Sequence, residues 1–208
     1  MVLVSHRKKF IYIKNLKVAG TSVEAYFEKY CVNPKVAYNP KHYFQRAKIS
    51  QYGIIGARGK KTHLTNKFFN HMNARAIKRH LGRKVFNRYF KFCVIRNPYD
   101  KMVSMYFFRP PSVSFKEFCK QTDCSDIKRL IIHGRPCCNY YIRFENLEAG
   151  LKEVCKKLKI PFKPERLPSY KRGFRPSNTD YRQYYDDETR QIVYEKHKPE
   201  FELFGYEF

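Results

Sequence analysis

The sequence predicts an α/β fold in which helices flank a parallel sheet in three layers. Apolar runs typical of buried strands alternate with segments whose apolar residues recur at helical spacing. Two of the strands lead through a short polar loop directly into a helix. The chain has 208 residues, which suits one domain with a substantial core, and no internal repeat divides it. We therefore expect a single domain over residues 1–208.

The first strand–loop–helix unit lies near the start of the chain. Residues 10–13 (F-I-Y-I) are typical of a buried strand, and apolar residues recur at i, i+3, i+4 and i+7 over residues 23–30. Between them, Lys17 supplies a charge, Gly20 permits close approach of the backbone, and two hydroxyl residues follow. A helix N-terminus also attracts anions. The unit predicts a phosphate cradle or, alternatively, an ordinary capped turn, since neither G-x-x-x-x-G-K-[ST] nor G-x-G-x-x-G occurs.

A second unit of the same kind favours the phosphate cradle. Residues 91–95 (K-F-C-V-I) predict a buried strand, and Pro98 suits the first turn of a helix. Arg96 stands at the end of the strand, and Ser104 lies two turns along the helix. An arginine and a hydroxyl together grip a phosphate monoester well. Because ligands of parallel sheets bind at the carboxyl ends of strands, we expect the two loops to meet there.

The remaining elements follow from periodicity and capping. Helix stop and start signals are Gly82 after a periodic stretch and the capping box at residues 114–117. The predicted elements are a helix over residues 74–81, a helix opened at residue 114, a strand over 140–144, an amphipathic helix over 147–158 and a last helix over 187–198.

The two loops resemble the cofactor motifs of carbohydrate sulfotransferases that use 3′-phosphoadenosine 5′-phosphosulfate (PAPS). Residues 17–22 (K-V-A-G-T-S) resemble the 5′-phosphosulfate loop K-T-A-G-T-S, and residues 96–104 (R-N-P-Y-D-K-M-V-S) resemble the 3′-phosphate motif R-x-P-Y-x-R-x-x-S. Residues 143–147 resemble R-[FY]-E-[ND]-L, and residues 184–206 resemble the closing Y-Y-D…F-G-Y pattern. The resemblance implies a nucleotide-kinase-like sulfotransferase fold, PAPS as donor, its bisphosphate (PAP) as product, and a carbohydrate hydroxyl as acceptor.

The resemblance also implies roles for individual residues. Lys17 is the candidate to neutralise the leaving oxygen, within a 5′-phosphosulfate loop over residues 14–22. The donor-binding residues that it implies are Lys17, Val18, Ala19, Gly20, Thr21, Ser22, Arg96 and Ser104, with Lys171 and Arg172 as a closing basic loop or, alternatively, a solvated one. Glu145 is expected to be structural. No metal is expected.

A base for the attacking hydroxyl is the remaining requirement. His63 lies between the two motifs, in a context similar to the G/K-H-x-[TS] of relatives, and is the candidate; His42 and Glu24 are further ones. Three features depart from the family pattern. Residues 14–16 (K-N-L) replace a more typical His-Ile-Pro. Val18 replaces a hydroxyl residue, which removes one donor, and Lys101 replaces an arginine, which we expect to matter little on a helix face.

Charge and composition bound the partners. The net charge is +25, which predicts polyanionic binding partners. No zinc-finger, RNP or basic-zipper signature occurs, so we do not expect a specific nucleic-acid partner. We expect an anionic glycan as the acceptor. The seven cysteines form neither a disulfide framework nor a zinc pattern.

No signal peptide or membrane-spanning run occurs, which predicts a cytoplasmic enzyme or, alternatively, an excised Golgi-lumenal domain. Two other classes of function stay open at this stage. One is a kinase with an atypical P-loop, and the other is a non-catalytic polyanion-binding protein.

Overall fold

A computed structural model describes residues 1–37, 46–59, 61–108, 111–168 and 179–208. Six strands form one sheet, and a short hairpin, β6–β7, stands apart from it. The strands are β1 Leu3–Ser5, β2 Phe10–Ile13, β3 Lys48–Ser50, β4 Gly53–Ile55, β5 Phe90–Ile95, β6 Ile131–Ile132, β7 Arg135–Pro136 and β8 Tyr140–Arg143. The helices are α1 Gly20–Phe27, α2 Ala74–Leu81, α3 Arg83–Arg88, α4 Pro98–Phe108, α5 Phe115–Gln121, α6 Ile127–Leu130, α7 Leu147–Lys157 and α8 Asp187–Phe204.

The sheet has the strand order β3-β4-β1-β2-β5-β8. Its strands β2, β5 and β8 are parallel, whereas β1, β3 and β4 add an antiparallel extension. The α/β class and the flanking helices are confirmed, and the sheet is mixed rather than parallel throughout. The reason is local: residues 6–9 and residues 51–52 connect their strands too briefly for a crossover, so those pairs must run antiparallel.

The helices predicted from periodicity are confirmed. Gly82, which follows α2, has φ 82°, and the Ser114 side chain accepts a hydrogen bond from the Glu117 backbone N–H at 3.2 Å to begin α5. Helix α8 extends six residues past its predicted end, to Phe204. The short helices α3 and α6 and strands β1, β3, β4, β6 and β7 were not predicted, because they are too brief to show a period.

Alternating side chains of β2 and β5 enter two different cores, one on each face of the sheet. On one face Ile11, Ile13, Cys93 and Ile95 pack with residues of α2, α4 and α8. On the other face Phe10, Tyr12, Phe92 and Val94 pack with residues of α1 and α7. The three layers follow from this alternation. No helix of the described part is long and apolar enough to cross a membrane.

Parallel pairing of β2 with β5 brings the two loops to one edge of the sheet. Ile13, the last residue of β2, pairs with Cys93, two residues before the end of β5. The segments that follow the two strands therefore leave the sheet side by side.

Candidate functional site

The loop between β2 and α1 folds back over the helix N-terminus. Lys17 and Ala19 both have left-handed backbone angles, with φ 54° and 53°. The Ala19 carbonyl accepts hydrogen bonds from the N–H groups of Ser22 and Val23, at 2.9 and 3.2 Å. Within the described residues, the N–H groups of Ala19, Gly20 and Thr21 have no recorded acceptor. Unpaired amides at a helix N-terminus, held by a strained loop, are the donors of a candidate anion site.

Val18 turns away from that anion site. Its side chain is 0% exposed and packs in the core that contains Tyr12 and Phe27. A hydroxyl at this position would lie among apolar side chains, so only the backbone of Val18 is left to face a ligand. Packing in the apolar core therefore explains why position 18 carries valine and not a hydroxyl residue.

Lys14 lies beneath the loop, where sequence reasoning assigned it no role. A Cβ on Gly20 would approach Lys14 Cε to 2.8 Å and Cγ to 2.9 Å, so Gly20 makes room for the lysine stem. Lys14 Nζ donates to Glu24 Oε2 at 2.7 Å and lies 3.5 Å from the hydroxyl of Thr21, which is half-buried. Ser22 is buried. A second lysine thus adds positive charge under the cradle.

Glu24 is the countercharge of this cluster. Burial alone would raise the pKa of its carboxyl, but Lys14, the amino terminus and Arg58 together lower it to about 2. A carboxylate held so firmly in its charged form is a weak proton acceptor at neutral pH. We therefore assign Glu24 a structural role.

Arg96 joins the two loops directly. Its Nη1 donates to the carbonyl oxygen of Lys17 at 2.8 Å, and its Nε donates to Asp100 Oδ2 at 2.6 Å. The guanidinium carbon lies 4.1 Å from the centroid of the Phe144 ring. This hydrogen bond places two residues separated by 79 positions side by side.

One face of α4 carries the residues that meet both loops. Asp100, Ser104 and Phe108 are spaced by four and so lie on the same side of the helix. Asp100 contacts Arg96, and the Phe108 ring centroid lies 3.7 Å from Lys17 Nζ, a cation–π contact. Ser104 is half-buried and lies between Asp100 and Phe108 on this face, and its role in binding a phosphate stays a prediction.

Lys101 is not a neutral substitution on a helix face; that expectation was wrong. It is 1% exposed, and its Nζ lies 2.8 Å from Asp126 Oδ2 and 3.7 Å from Glu200 Oε2. Burial alone would lower the pKa of Lys101, but these two carboxylates raise it above its usual value. Asp126 Oδ1 also accepts the Leu16 N–H at 3.3 Å. The lysine therefore anchors a carboxylate that holds the start of the loop between β2 and α1.

Glu145 has the structural role predicted for it. Its Oε1 accepts the N–H of Asn97 at 2.9 Å, and its Oε2 accepts the Tyr206 hydroxyl at 3.1 Å. Asn97 Nδ2 donates in turn to the Glu207 carbonyl at 2.7 Å. The three motifs around residues 97, 145 and 206 are one hydrogen-bonded unit behind Arg96.

His63 lies on the surface, in a short 3₁₀ turn, with its ring centroid 6.0 Å from that of Phe69. No contact between His63 and either loop is recorded among the described residues. The segment that carries it follows β4. The last residue of β4, Ile55, pairs with Leu3, and Leu3 pairs with Tyr12, one residue before the end of β2. The segment with His63 thus leaves the sheet at the same edge as the loop between β2 and α1. The role of His63 as base stays a prediction.

His71 lies near the charged cluster of Lys14, Glu24 and the amino terminus, because the neighbouring Asn70 accepts a hydrogen bond from that terminus at 2.7 Å; sequence reasoning did not single it out. Burial and the charges of the amino terminus, Lys14 and Arg129 lower the pKa of His71 to about 3. Its Nδ1 is buried and has no hydrogen-bond partner in the described part. Its position depends on a left-handed φ of 55° and on long-range packing, which no local pattern reveals. Lys171, Arg172 and His42 lie outside the described residues.

Comparison with known proteins agrees with this geometry. The model of the Sulfotransferase family matches residues 1–207. No curated protein and no solved structure shows significant similarity to the chain. Since the match covers nearly all of the sequence, including both loops and the unit behind Arg96, the chain belongs to the Sulfotransferase family, whose chemistry is the transfer of sulfuryl groups.

Proposed function

We propose that the protein transfers the sulfuryl group of PAPS to a hydroxyl of an anionic carbohydrate acceptor. The observation that carries this proposal is the direct hydrogen bond from Arg96 to the Lys17 carbonyl, with Ser104 on the helix face between them. PAPS is anionic at both its 5′ and its 3′ end. Two adjoining anion grips, one per motif, match that pair of charges.

The residues at the two loops fit such a donor. The N–H groups of Ala19, Gly20 and Thr21 offer three donors to a 5′-phosphosulfate, and Lys14 and Lys17 offset its charge. Arg96 uses two of its five N–H groups in the bonds described above, which leaves others for a 3′-phosphate beside the Ser104 hydroxyl. The donor supplies the sulfuryl group when bound.

Two roles remain: one residue must stabilise the leaving oxygen, and another must act as base for the attacking hydroxyl. We assign these roles to Lys17 and to a histidine. We assign Lys17 to the charge that develops on the leaving oxygen, because it carries a full positive charge in the loop that also holds the unpaired amides. We favour His71 as the base over His63. Its ring is neutral near pH 7, and its buried Nδ1 has no hydrogen-bond partner among the described residues.

An anionic glycan as acceptor rests on charge. The chain carries 43 Lys and Arg against 18 Asp and Glu, far more than one donor molecule offsets. Turnover of an acidic acceptor should therefore weaken steeply between low and physiological salt. If turnover of the acidic acceptor did not change between low and physiological salt, that result would contradict this part of the proposal.

The donor is tested by binding. PAP should raise the melting temperature and bind in a calorimeter, whereas ATP with Mg²⁺ should do neither. Lys17→Ala and Arg96→Ala should each weaken PAP binding, and Arg88→Ala, an exposed arginine outside the site, should not. Stabilisation by ATP alone would favour a kinase. Heparin binding with no response to PAP would favour a non-catalytic protein.

The base is tested by turnover with a labelled donor and a glycan panel. His71→Ala should lower kcat by about 10²–10⁴-fold and leave PAP binding intact. His63→Ala is the paired variant. If only His63→Ala lowers kcat, His63 is the base and our preference for His71 is wrong.

A further inference from the structure

A basic cavity lies at the end of the sheet opposite the candidate site. Its volume is about 590 Å³, which is ligand-sized. Its polar lining residues are Lys78, Asn87, Lys91, His133 and Arg135. Lys91 stands near the start of β5, whereas Arg96 follows its end. The four residue steps from Lys91 to Ile95 span about 13 Å, so the cavity is separate from the loops that hold the proposed donor.

A buried lysine without a countercharge lines this cavity. Lys91 is 7% exposed, and its Nζ donates to the carbonyl oxygens of Phe86 at 3.0 Å and Tyr89 at 2.7 Å. No carboxylate contacts it among the described residues. Burial lowers the pKa of Lys91, the expected result for a charge that lacks a partner. An ammonium has three donors, so one remains for a ligand.

The sequence around the cavity contains no acid that would offset this charge. No aspartate or glutamate occurs between Glu28 and Asp100, a stretch with seventeen lysines and arginines. None occurs between Asp126 and Glu145 either. All the lining residues come from these two stretches, although they belong to separate elements, α2, α3, β5 and the β6–β7 hairpin. The fold thus gathers positive charge from both stretches into one concave surface.

We propose that this cavity is a second anion site, which binds a sulfate or phosphate ester independently of the proposed donor site. Lys78, Lys91 and Arg135 face the anionic group, and Asn87 adds an amide donor. Phe86, Ile132 and Pro136 form an apolar wall against which the body of the ester packs. The assignment does not depend on PAPS being the donor.

The test is calorimetric titration of the full chain with phenyl sulfate and, separately, phenyl phosphate, with benzyl alcohol as the uncharged probe. We expect both esters to bind and the alcohol not to. The double variant Lys78→Ala/Arg135→Ala should weaken ester binding at least about tenfold. The matched pair Arg79→Ala/Lys84→Ala removes the same charge from exposed positions outside the cavity and should change affinity less than about twofold. Lys17→Ala should leave ester binding unchanged.

Three results would overturn the assignment: no binding of either ester, equal loss in the two double variants, or loss in Lys17→Ala with none in Lys78→Ala/Arg135→Ala. The last result would place the esters in the loop site instead. If the cavity double variant fails to fold, Arg135→Ala alone compared with Arg79→Ala decides the matter, since Arg135 is exposed on the hairpin. Binding of only one ester would name the anion the cavity prefers and would support the site.

Discussion

Val18→Thr separates two opposite expectations for the phosphate loop. The family pattern has a hydroxyl residue here, so threonine should restore a donor to the anion. The structure instead buries the Val18 side chain completely, in the core with Tyr12 and Phe27. Threonine has the same shape as valine and exchanges one methyl group for a hydroxyl. A hydroxyl buried without a partner costs about 1–3 kcal/mol.

We therefore expect Val18→Thr to lower the free energy of unfolding by about 1–3 kcal/mol in urea, or about 2–4 °C in Tm for each kcal/mol. The affinity for PAP should not rise. Val36→Thr is the control, because Val36 is 62% exposed and the same exchange there should cost under about 0.5 kcal/mol. A Val18→Thr protein of unchanged stability that binds PAP about tenfold more tightly would show that the side chain faces the ligand. That result would refute the placement.

Three further predictions concern the site, the pH dependence and the packing. Arg96→Lys should weaken PAP binding at least about tenfold in a calorimeter. The reason is that one ammonium cannot replace a guanidinium whose separate nitrogens bind the Lys17 carbonyl and the Asp100 carboxylate. Unchanged affinity would count against the role of Arg96. Burial and neighbouring positive charge lower the pKa of His197 to about 4, so the unfolded chain binds protons first and stability falls as the pH drops from about 6.5 to about 4. His197→Gln should shrink the loss of unfolding free energy between pH 7 and pH 5 by about 1–2 kcal/mol, and an unaltered loss would contradict the assignment. Gly150→Ala should destabilise the protein by about 1–3 kcal/mol in urea, since the added Cβ would lie 2.5 Å from Ile142 Cγ2; a variant as stable as the parent would disprove that contact.

Local patterns were sufficient for much of the fold. The strand at residues 10–13 and the helix that ends before Gly82 depend on periodicity and on one capping residue, which neighbours in sequence provide. The antiparallel strands β1, β3 and β4 were missed, because three residues are too few to show an alternation. Their pairing is fixed by short connections and by burial in the assembled sheet.

The candidate site, like the fold, could be predicted only in part from the sequence. Lys17, Gly20, Arg96 and Ser104 are recognisable as two motifs, but the bond that joins them is visible only in the folded chain. Lys101 shows the limit most clearly. In the sequence it is one more lysine on a helix, and in the structure it is the buried partner of Asp126 and Glu200.

The sequence by itself determined the α/β class, the order of the main elements and the two loops that form the candidate site. These depend on residue types a few positions apart, whose conformational preferences are local. Only the tertiary structure decided that Val18 faces the core, that Lys14 lies under the loop against Glu24, and that His71 lies near this charged cluster. Burial and charge pairing decide these placements. Both arise between residues that are distant in sequence, so no local pattern can contain them.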